Sequence, residues 1–561
     1  MTTFTRCTCL SVFLFAGSPA LFAAQELLLN PGFEDAFTHT ATNWSLNAWG
    51  GPEVALSPER THALHGAASQ RIEVTTLPPQ AGVIFRQPFT FKQGHVYRAR
   101  LLVASPTQTR IQLLLRRTGP HYDAGAIRSV MAGPEPQEIV IEGGFSTDDV
   151  PGFFGVAIRE PGCVIVDDAS LIDVTDAVLA RPTPIEPIPA TYFGFHINKL
   201  GSHNVWPDLC AGLLRLWDTG TCWCHLQPAS NQWNWARADY YVQHAQRSAP
   251  KAQLMMTLGI TPEWAAPPAS KRSYAGSSAP PRDIEAWRAY VQAVGQRYRG
   301  RIRYWEVWNE SDYAGFYTGS ITQMVALARI AWTELKAIDP QNQVLTPNIT
   351  QVGLGWLDDY LTAGGGAFAD IISYHSYPPE TPECAVAAYA AVQDVVCAHG
   401  LSQKPIWNTE GAIGAKTSFT EEEAMGVVAR TYLVQWAQGI RNFNWYCWDI
   451  HWPGGANLSQ DLLRAELAPG GKAYRTVARW LVGSTLLLRR VEGNTWQLDL
   501  QEASGQRVRI AWTTQGTATI TLPAAWNAWG CETLRGETRS LPHATSTIGP
   551  APLRFYACPT P

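Results

Sequence analysis

The stretch RYWEVWNE, residues 303–310, decides the fold. Its Tyr, Trp and Val suit a buried strand, yet it ends in Asn309 and Glu310. Side chains alternate along a strand, so Glu306 and Trp308 are expected to share the face of Glu310. A largely apolar strand that ends in Asn and Glu fits a barrel wall opening onto a ligand. PIWNTEG, residues 405–411, has the same grammar and ends in Glu410 and a glycine.

Working outward, residues 191–470 hold eight strand-like runs: YFGFHI, LLRLWD, QLMMTLGI, IRYWEVWNE, QVLTPN, DIISYHSY, PIWNTEG and NFNWYCWD. Helical patterns separate them. Asp283 caps a helix whose stripe is Ile284, Trp287, Val291, Val294 and Tyr298, with Gly300 as its stop. Ser320 with Gln323, and Thr420 with Glu423, form capping boxes before two more. Eight such units in this length give a (β/α)8 TIM barrel. An open doubly wound sheet is the second reading, and the lack of a Gly-rich loop after the first strand counts against it.

The flanks have a different texture. Residues 25–176 and 471–561 read as short alternating strands, giving a multidomain chain with an N-terminal β-sandwich and a small C-terminal antiparallel β domain. ARPTPIEPIPA, residues 180–190, reads as a stiff extended linker within 177–190. Residues 1–24 carry Arg6, an apolar run and closing alanines, the pattern of a signal peptide, so a secreted or periplasmic location is expected. No other run is long and apolar enough for a membrane span. Charged residues are 16%, the net charge is −4 and 23 residues are Trp. That balance offers no basic surface for nucleic acid, and the tryptophans suit the C–H faces of sugars as well as a core. Of eleven cysteines, removal of Cys7 and Cys9 with the signal leaves an odd number. Cys384–Cys397 and Cys531–Cys558 are the disulfides expected.

The opening LLLNPGFEDAFTHTATNWSLNAWGG and the closing CVIVDDASLIDV of the first region resemble the ends of β-sandwich carbohydrate-binding modules. The resemblance implies chain ends that meet and often hold a structural calcium, at the positions of Glu34 and Asp168. Calcium requires several hard oxygens, more than these two carboxylates supply. Trp44 and Trp49 are either sugar platforms or core.

Two glutamates ending strands 4 and 7 resemble the clan of retaining (β/α)8 glycosidases, and EVWNE with WNTEG is most similar to glycoside hydrolase family 39. The resemblance covers about half the chain. It implies Glu310 as acid/base, Glu410 as nucleophile, Asn309 as ligand of the sugar 2-hydroxyl, and Arg215 as the cation beside the nucleophile. A salt bridge of Arg215 to Glu306 or Asp218 is the structural alternative. It also implies a His and a Tyr at the end of strand 6, here His375 and Tyr377, the Tyr near the nucleophile. His196 on strand 1, Trp264 after strand 3 and Trp448 on strand 8, as the platform under the sugar, complete the expected substrate contacts. Glu263 and Glu306 read as supporting carboxylates. Family 39 often has Pro after its acid/base, where this chain has Ser311, which leaves the sugar open.

The expected activity is therefore hydrolysis of β-glycosidic bonds in a polysaccharide or oligosaccharide by double displacement, with no catalytic cofactor. A noncatalytic carbohydrate-binding protein on a barrel scaffold is the alternative. A metal-dependent barrel hydrolase would require more clustered His and Asp.

Overall fold

In the computed structural model the described residues are 25–557, apart from 120–121, 147–148, 183–184, 202–203, 414–417 and 527–528. Residues 1–24, read above as a signal peptide, and Cys558 lie outside them.

Eight parallel strands form the central sheet: Phe193–Phe195, Leu213–Leu216, Gln253–Leu258, Tyr304–Val307, Gln343–Leu345, Ile372–His375, Ile406–Gly411 and Ile440–Trp445. They coincide with the eight runs expected from sequence. Strand 1 pairs with strands 2 and 8, and a parallel bridge between Leu345 and Ile371 joins strands 5 and 6, so the sheet closes. Leu213, Met255, Leu345, Ile371 and Trp407, with Tyr304 against them, form an apolar cluster among the strands. Asp283 accepts the Glu285 amide, and both capping boxes are formed. In the Asp283-capped helix, Trp287, Val291, Val294 and Tyr298 are buried, whereas Ile284 is exposed. A helix at Pro469–Leu481 packs on Glu421–Ala437.

The N-terminal domain is a sandwich of two five-stranded antiparallel sheets. Trp44 lies in its core, stacked on Phe85 at 5.2 Å, while Trp49 is exposed. One sheet turns its outer face to the barrel: Ile84, Leu114, Ile127, Phe153 and Ala157 are buried in the same apolar cluster as barrel residues. Strands Ala124–Ala132 and Gln137–Gly143 lie on helices Leu354–Thr362 and Val386–Ala398. Arg128 bonds Asp394 at 2.8 Å, and the Ser129 amide donates to Asp358 at 2.8 Å. Gly94, at φ 73°, approaches so closely that an added Cβ would lie 2.8 Å from Cα of Cys384.

The proline-rich segment is bound rather than free. Ile188 is buried, and its amide donates to the Ser484 carbonyl. Thr175–Leu179 is helical. The C-terminal domain is a six-stranded antiparallel sheet with a separate two-stranded ribbon. Cys384 and Cys397 are not bridged to each other. They stand near opposite ends of the run Pro382–Ala398, and thirteen residues of helical rise separate them by about 20 Å, beyond the reach of a disulfide.

Arg489 ties the regions together. Its guanidinium donates to the carbonyls of Ala437 (2.6 Å), Leu179 (2.8 Å), Val178 (3.1 Å) and Arg181 (3.2 Å). Burial and the nearby Arg181 lower its pKa to about 10, so it stays charged at neutral pH. Arg489→Leu leaves those carbonyls without their donor and is expected to cost about 3 kcal/mol, read as a lowered unfolding midpoint. An unchanged midpoint would show that Arg489 is not the clamp.

Candidate active site

Strand 4 shows why an apolar run ends in a carboxylate. Tyr304 and Glu306 face into the barrel, where Tyr304 packs on Trp407 at 4.8 Å. Trp305 and Val307 belong to the outer cluster. Simple alternation then fails. Trp308 packs outward on Trp287 and Tyr317, at 6.0 and 5.3 Å, and does not share the face of Glu310. The cause is backbone: Trp308 and Glu310 have φ of 67° and 42°, left-handed values that L-residues adopt at a cost. The two left-handed steps let consecutive residues, Asn309 and Glu310, both reach the mouth. Asn348, from the end of strand 5, braces the bend: its Oδ1 accepts the Glu310 amide at 2.6 Å and its Nδ2 donates to the Trp308 carbonyl at 3.2 Å.

Strand 7 solves the same problem with a bulge. Its pairing with strand 6 runs Tyr374 to Asn408 and then His375 to Glu410, skipping Thr409. A bulge re-aims side chains, and here Thr409 and Glu410 both point inward. Thr409 Oγ1 donates to Glu306 at 2.6 Å, and Glu410 meets Arg215.

Arg215, fully buried on strand 2, is the hub. It donates to Glu306 Oε2 through Nε at 2.9 Å and Nη2 at 2.5 Å, to Glu410 Oε2 at 2.8 Å, and to Asn309 Oδ1 at 2.7 Å. Arg215 thus pairs with both Glu410 and Glu306. Thr257 adds a third donor to Glu306 at 2.8 Å. Tyr377 donates to the other oxygen of Glu410 at 2.7 Å. Across the mouth, His375 Nδ1 lies 3.0 Å from Glu310 Oε1. Ligand atoms of Glu310, His375 and Glu410 all fall within 4.8 Å of one another. Among the described residues this is the one cluster with metal-ligand spacing. Arg215 and Tyr377 already hold both oxygens of Glu410, so the cluster is built as a hydrogen-bonded carboxylate pair.

The charges are balanced by contact. Burial pushes Glu306 up, but Arg215, His375 and Thr409 outweigh it and hold it below its ordinary value. Burial raises Glu410 above its ordinary value, with Glu310 adding to it and His375, Arg215 and Tyr377 opposing. Burial also works on Glu310, but the hydrogen bond and charge of His375 bring it below its ordinary value. The two glutamates are thus shifted in opposite directions, and their contacts differ as well. Glu410 is gripped at both oxygens, whereas Glu310 is held by His375 and is the more exposed, at 17% against 10% for their side chains.

Other expected contacts fall elsewhere. Trp448 is fully buried, with its indole N–H on Asn204 Oδ1 at 2.8 Å, and cannot stack under a sugar. Strand 8 instead presents Tyr446, 5.1 Å from the His196 ring. His196 is itself fully buried, with Nε2 3.3 Å from the Thr409 carbonyl, so it supports the wall and touches no ligand. Burial and Arg215 hold its pKa well below the ordinary value, leaving it neutral. Trp264 donates to the Gln227 carbonyl at 2.9 Å and packs on Trp223, with no contact to the carboxylates. Glu34 accepts the Ala67 amide at 2.9 Å, and Asp168 pairs with Arg100 at 3.1 Å. These two do not fit a shared calcium: a guanidinium already neutralises one of them. Sequence reading missed Asn348, Thr257, Thr409 and Tyr446. Parity on strands 3 and 5 could have found Thr257 and Asn348, but the bulge hid Thr409.

The described residues thus place two glutamates at the mouth of a closed parallel barrel, one of them on a buried arginine. Residues 282–474 match the family model described as Glycosyl hydrolase catalytic core. A family 39 glycoside hydrolase from Bacteroides cellulosilyticus WH2 superposes with a TM-score of 0.54 at 17% identity, over 80% of this chain and 95% of that one. A family 39 β-xylosidase from Caulobacter crescentus gives 0.51 at 14% identity, over 68% and 98%. At these identities the likeness is one of fold. No curated protein matches the chain.

His375 lowers both carboxyls, so its removal must raise both. His375→Ala is expected to move both limbs of the kcat/KM pH profile to higher pH. A profile that keeps its position would show that His375 does not set the protonation of the pair.

Proposed function

We propose that the protein is an exported retaining β-glycosidase acting on a polysaccharide or oligosaccharide. The observation that carries this is the unequal grip on two close carboxyls: Glu410 held by Arg215 and Tyr377, Glu310 facing it beside His375. Retaining hydrolysis needs carboxyl groups about 5–5.5 Å apart, with no room for water between them and the anomeric carbon. Ligand atoms within 4.8 Å suit that spacing. The apolar N-terminal run supports export.

In the first step Glu410 attacks the anomeric carbon. The glycosidic bond breaks, its electron pair goes to the leaving oxygen, and Glu310 gives that oxygen its proton. Positive charge developing on the sugar favours the neighbouring carboxylate as the anion, so the proton of the pair resides on Glu310 as the bond breaks. In the second step Glu310 takes a proton from water, which attacks the same carbon and releases Glu410. Arg215 stabilises Glu410 as nucleophile and as leaving group. It also fixes Asn309 by its Oδ1, which leaves the amide N–H groups to donate to a sugar hydroxyl.

The docked sandwich bears on what its module can do. Part of one sheet face is buried against the barrel, so the domain acts as a wall fixed to the enzyme. Any calcium at its chain ends would need donors beyond Glu34 and Asp168.

Glu410→Gln is expected to lose at least about 10^4-fold in kcat while still binding sugar. Glu310→Gln is expected to lose about 10^2–10^4-fold on poor leaving groups and far less on activated aryl glycosides. NMR of the first-formed product should show the anomer of the substrate; the opposite anomer would end the double-displacement reading.

A further inference from the structure

An aromatic surface beside the carboxylates takes no part in the chemistry above. Trp217 lies just past the end of strand 2, with the guanidinium carbon of Arg215 6.0 Å from its ring centroid. Trp217 is 2% exposed and forms a floor. Tyr274 and Phe316 meet it edge-on, at 5.5 and 5.8 Å, and stack on each other at 5.9 Å. Tyr313 adjoins Phe316 at 5.6 Å, and its amide donates to the Glu310 carbonyl. The outer rings face solvent: Tyr274 is 43% exposed and Tyr313 54%. A row of aromatics that leads from the buried arginine and ends open is built for contact.

Asp218 lies at the inner edge. Its carboxylate accepts the hydroxyls of Tyr446, at 2.7 Å, and Tyr274. Asp218 and Tyr274 both take left-handed backbone, with φ of 58° and 52°, a cost that tends to gather at functional sites. The bond to Asp218 fixes the Tyr274 ring before any ligand arrives, which lowers the entropy lost on binding. Each Asp218 oxygen keeps a further lone pair for a hydroxyl donor.

We infer that Tyr274, Phe316 and Tyr313, over Trp217 and beside Asp218, form a second sugar subsite that takes a neutral ring adjoining the one that reacts. This rests on the glycosidase reading above and deepens it. Apolar C–H faces lie on the tyrosine rings, and ring hydroxyls donate to Asp218. A uronate is disfavoured there, because its carboxylate would face that of Asp218. The substrate is thus at least two units long, with a neutral unit next to the one that reacts.

The test is calorimetric titration of Glu410→Gln with neutral β-1,4-linked xylo-, gluco- and manno-oligosaccharides of two to five units. The same titration is run after adding Tyr274→Ala and Tyr313→Ala, and wild-type turnover of the panel is followed in parallel. For the series that binds, affinity is expected to rise with length, and the two alanines to remove about tenfold of that rise. Tyr274→Phe, which keeps the ring and frees Asp218, is expected to lose less. An oligosaccharide ending in a uronate should gain nothing from the shelf. Length dependence untouched by the alanines, in a chain whose unfolding midpoint is unchanged, overturns the subsite even if turnover is normal. Shelf-dependent binding without wild-type turnover keeps the subsite and overturns the glycosidase reading.

Discussion

A guanidinium sealed in the barrel is the constraint around which the mouth is organised. Arg215 has no access to water, and an uncompensated buried charge would be severely destabilising. Glu306 answers it from strand 4, itself held by Thr257 and Thr409. One carboxylate neutralises one cation, and Glu410 then adds a second negative group to the same arginine. The cluster is thereby left with more carboxylate than cation. Burial, with Glu310 adding to it, raises Glu410, while His375 opposes the rise there and brings Glu310 down. Removing any one member would strand the others, so the same contacts that make the site stable also aim it.

Aiming required departures from regular structure, and these mark the limit of what the sequence disclosed. The eight strands, their order and the caps of their helices were legible, because buried β-branched and aromatic runs alternate with amphipathic segments of helical period. Glu310 and Glu410 were legible as polar endings on apolar strands. The faces of their neighbours were not. A strict two-residue period puts Trp308 inside with Glu310, but left-handed backbone at both residues turns the tryptophan out. On strand 7 the bulge at Thr409 brings in two successive side chains. On strand 8 composition pointed to Trp448, but the ring beside the site is Tyr446 and the tryptophan fills the core. Twenty-three tryptophans in one chain make such an assignment depend on the exact backbone path, which periodicity alone does not carry.

The flanking domains are parts of one packed body. The proline-rich segment suggested a spacer, since proline favours extended chain. Its residues instead pair with the turn at Ser484, and Arg489 collects carbonyls from the linker region and the barrel. The sandwich buries an outer face on two barrel helices. The helix Leu354–Thr362 follows the loop that carries Asn348 and Thr350. Thr350 donates its hydroxyl and amide to Asp312, two residues past Glu310. The sandwich is thus docked on the helix that follows the segment bracing Glu310.

Everything chemical rests on Glu410 being the group that bonds to the sugar. Trapping with a 2-deoxy-2-fluoro glycoside bearing a good leaving group, followed by peptide mass spectrometry, reads that bond directly. The mass of the sugar is expected on the peptide and residue of Glu410, and in Glu310→Gln it should still appear there. A label on Glu310, or turnover with no covalent species and an inverted product, would contradict it.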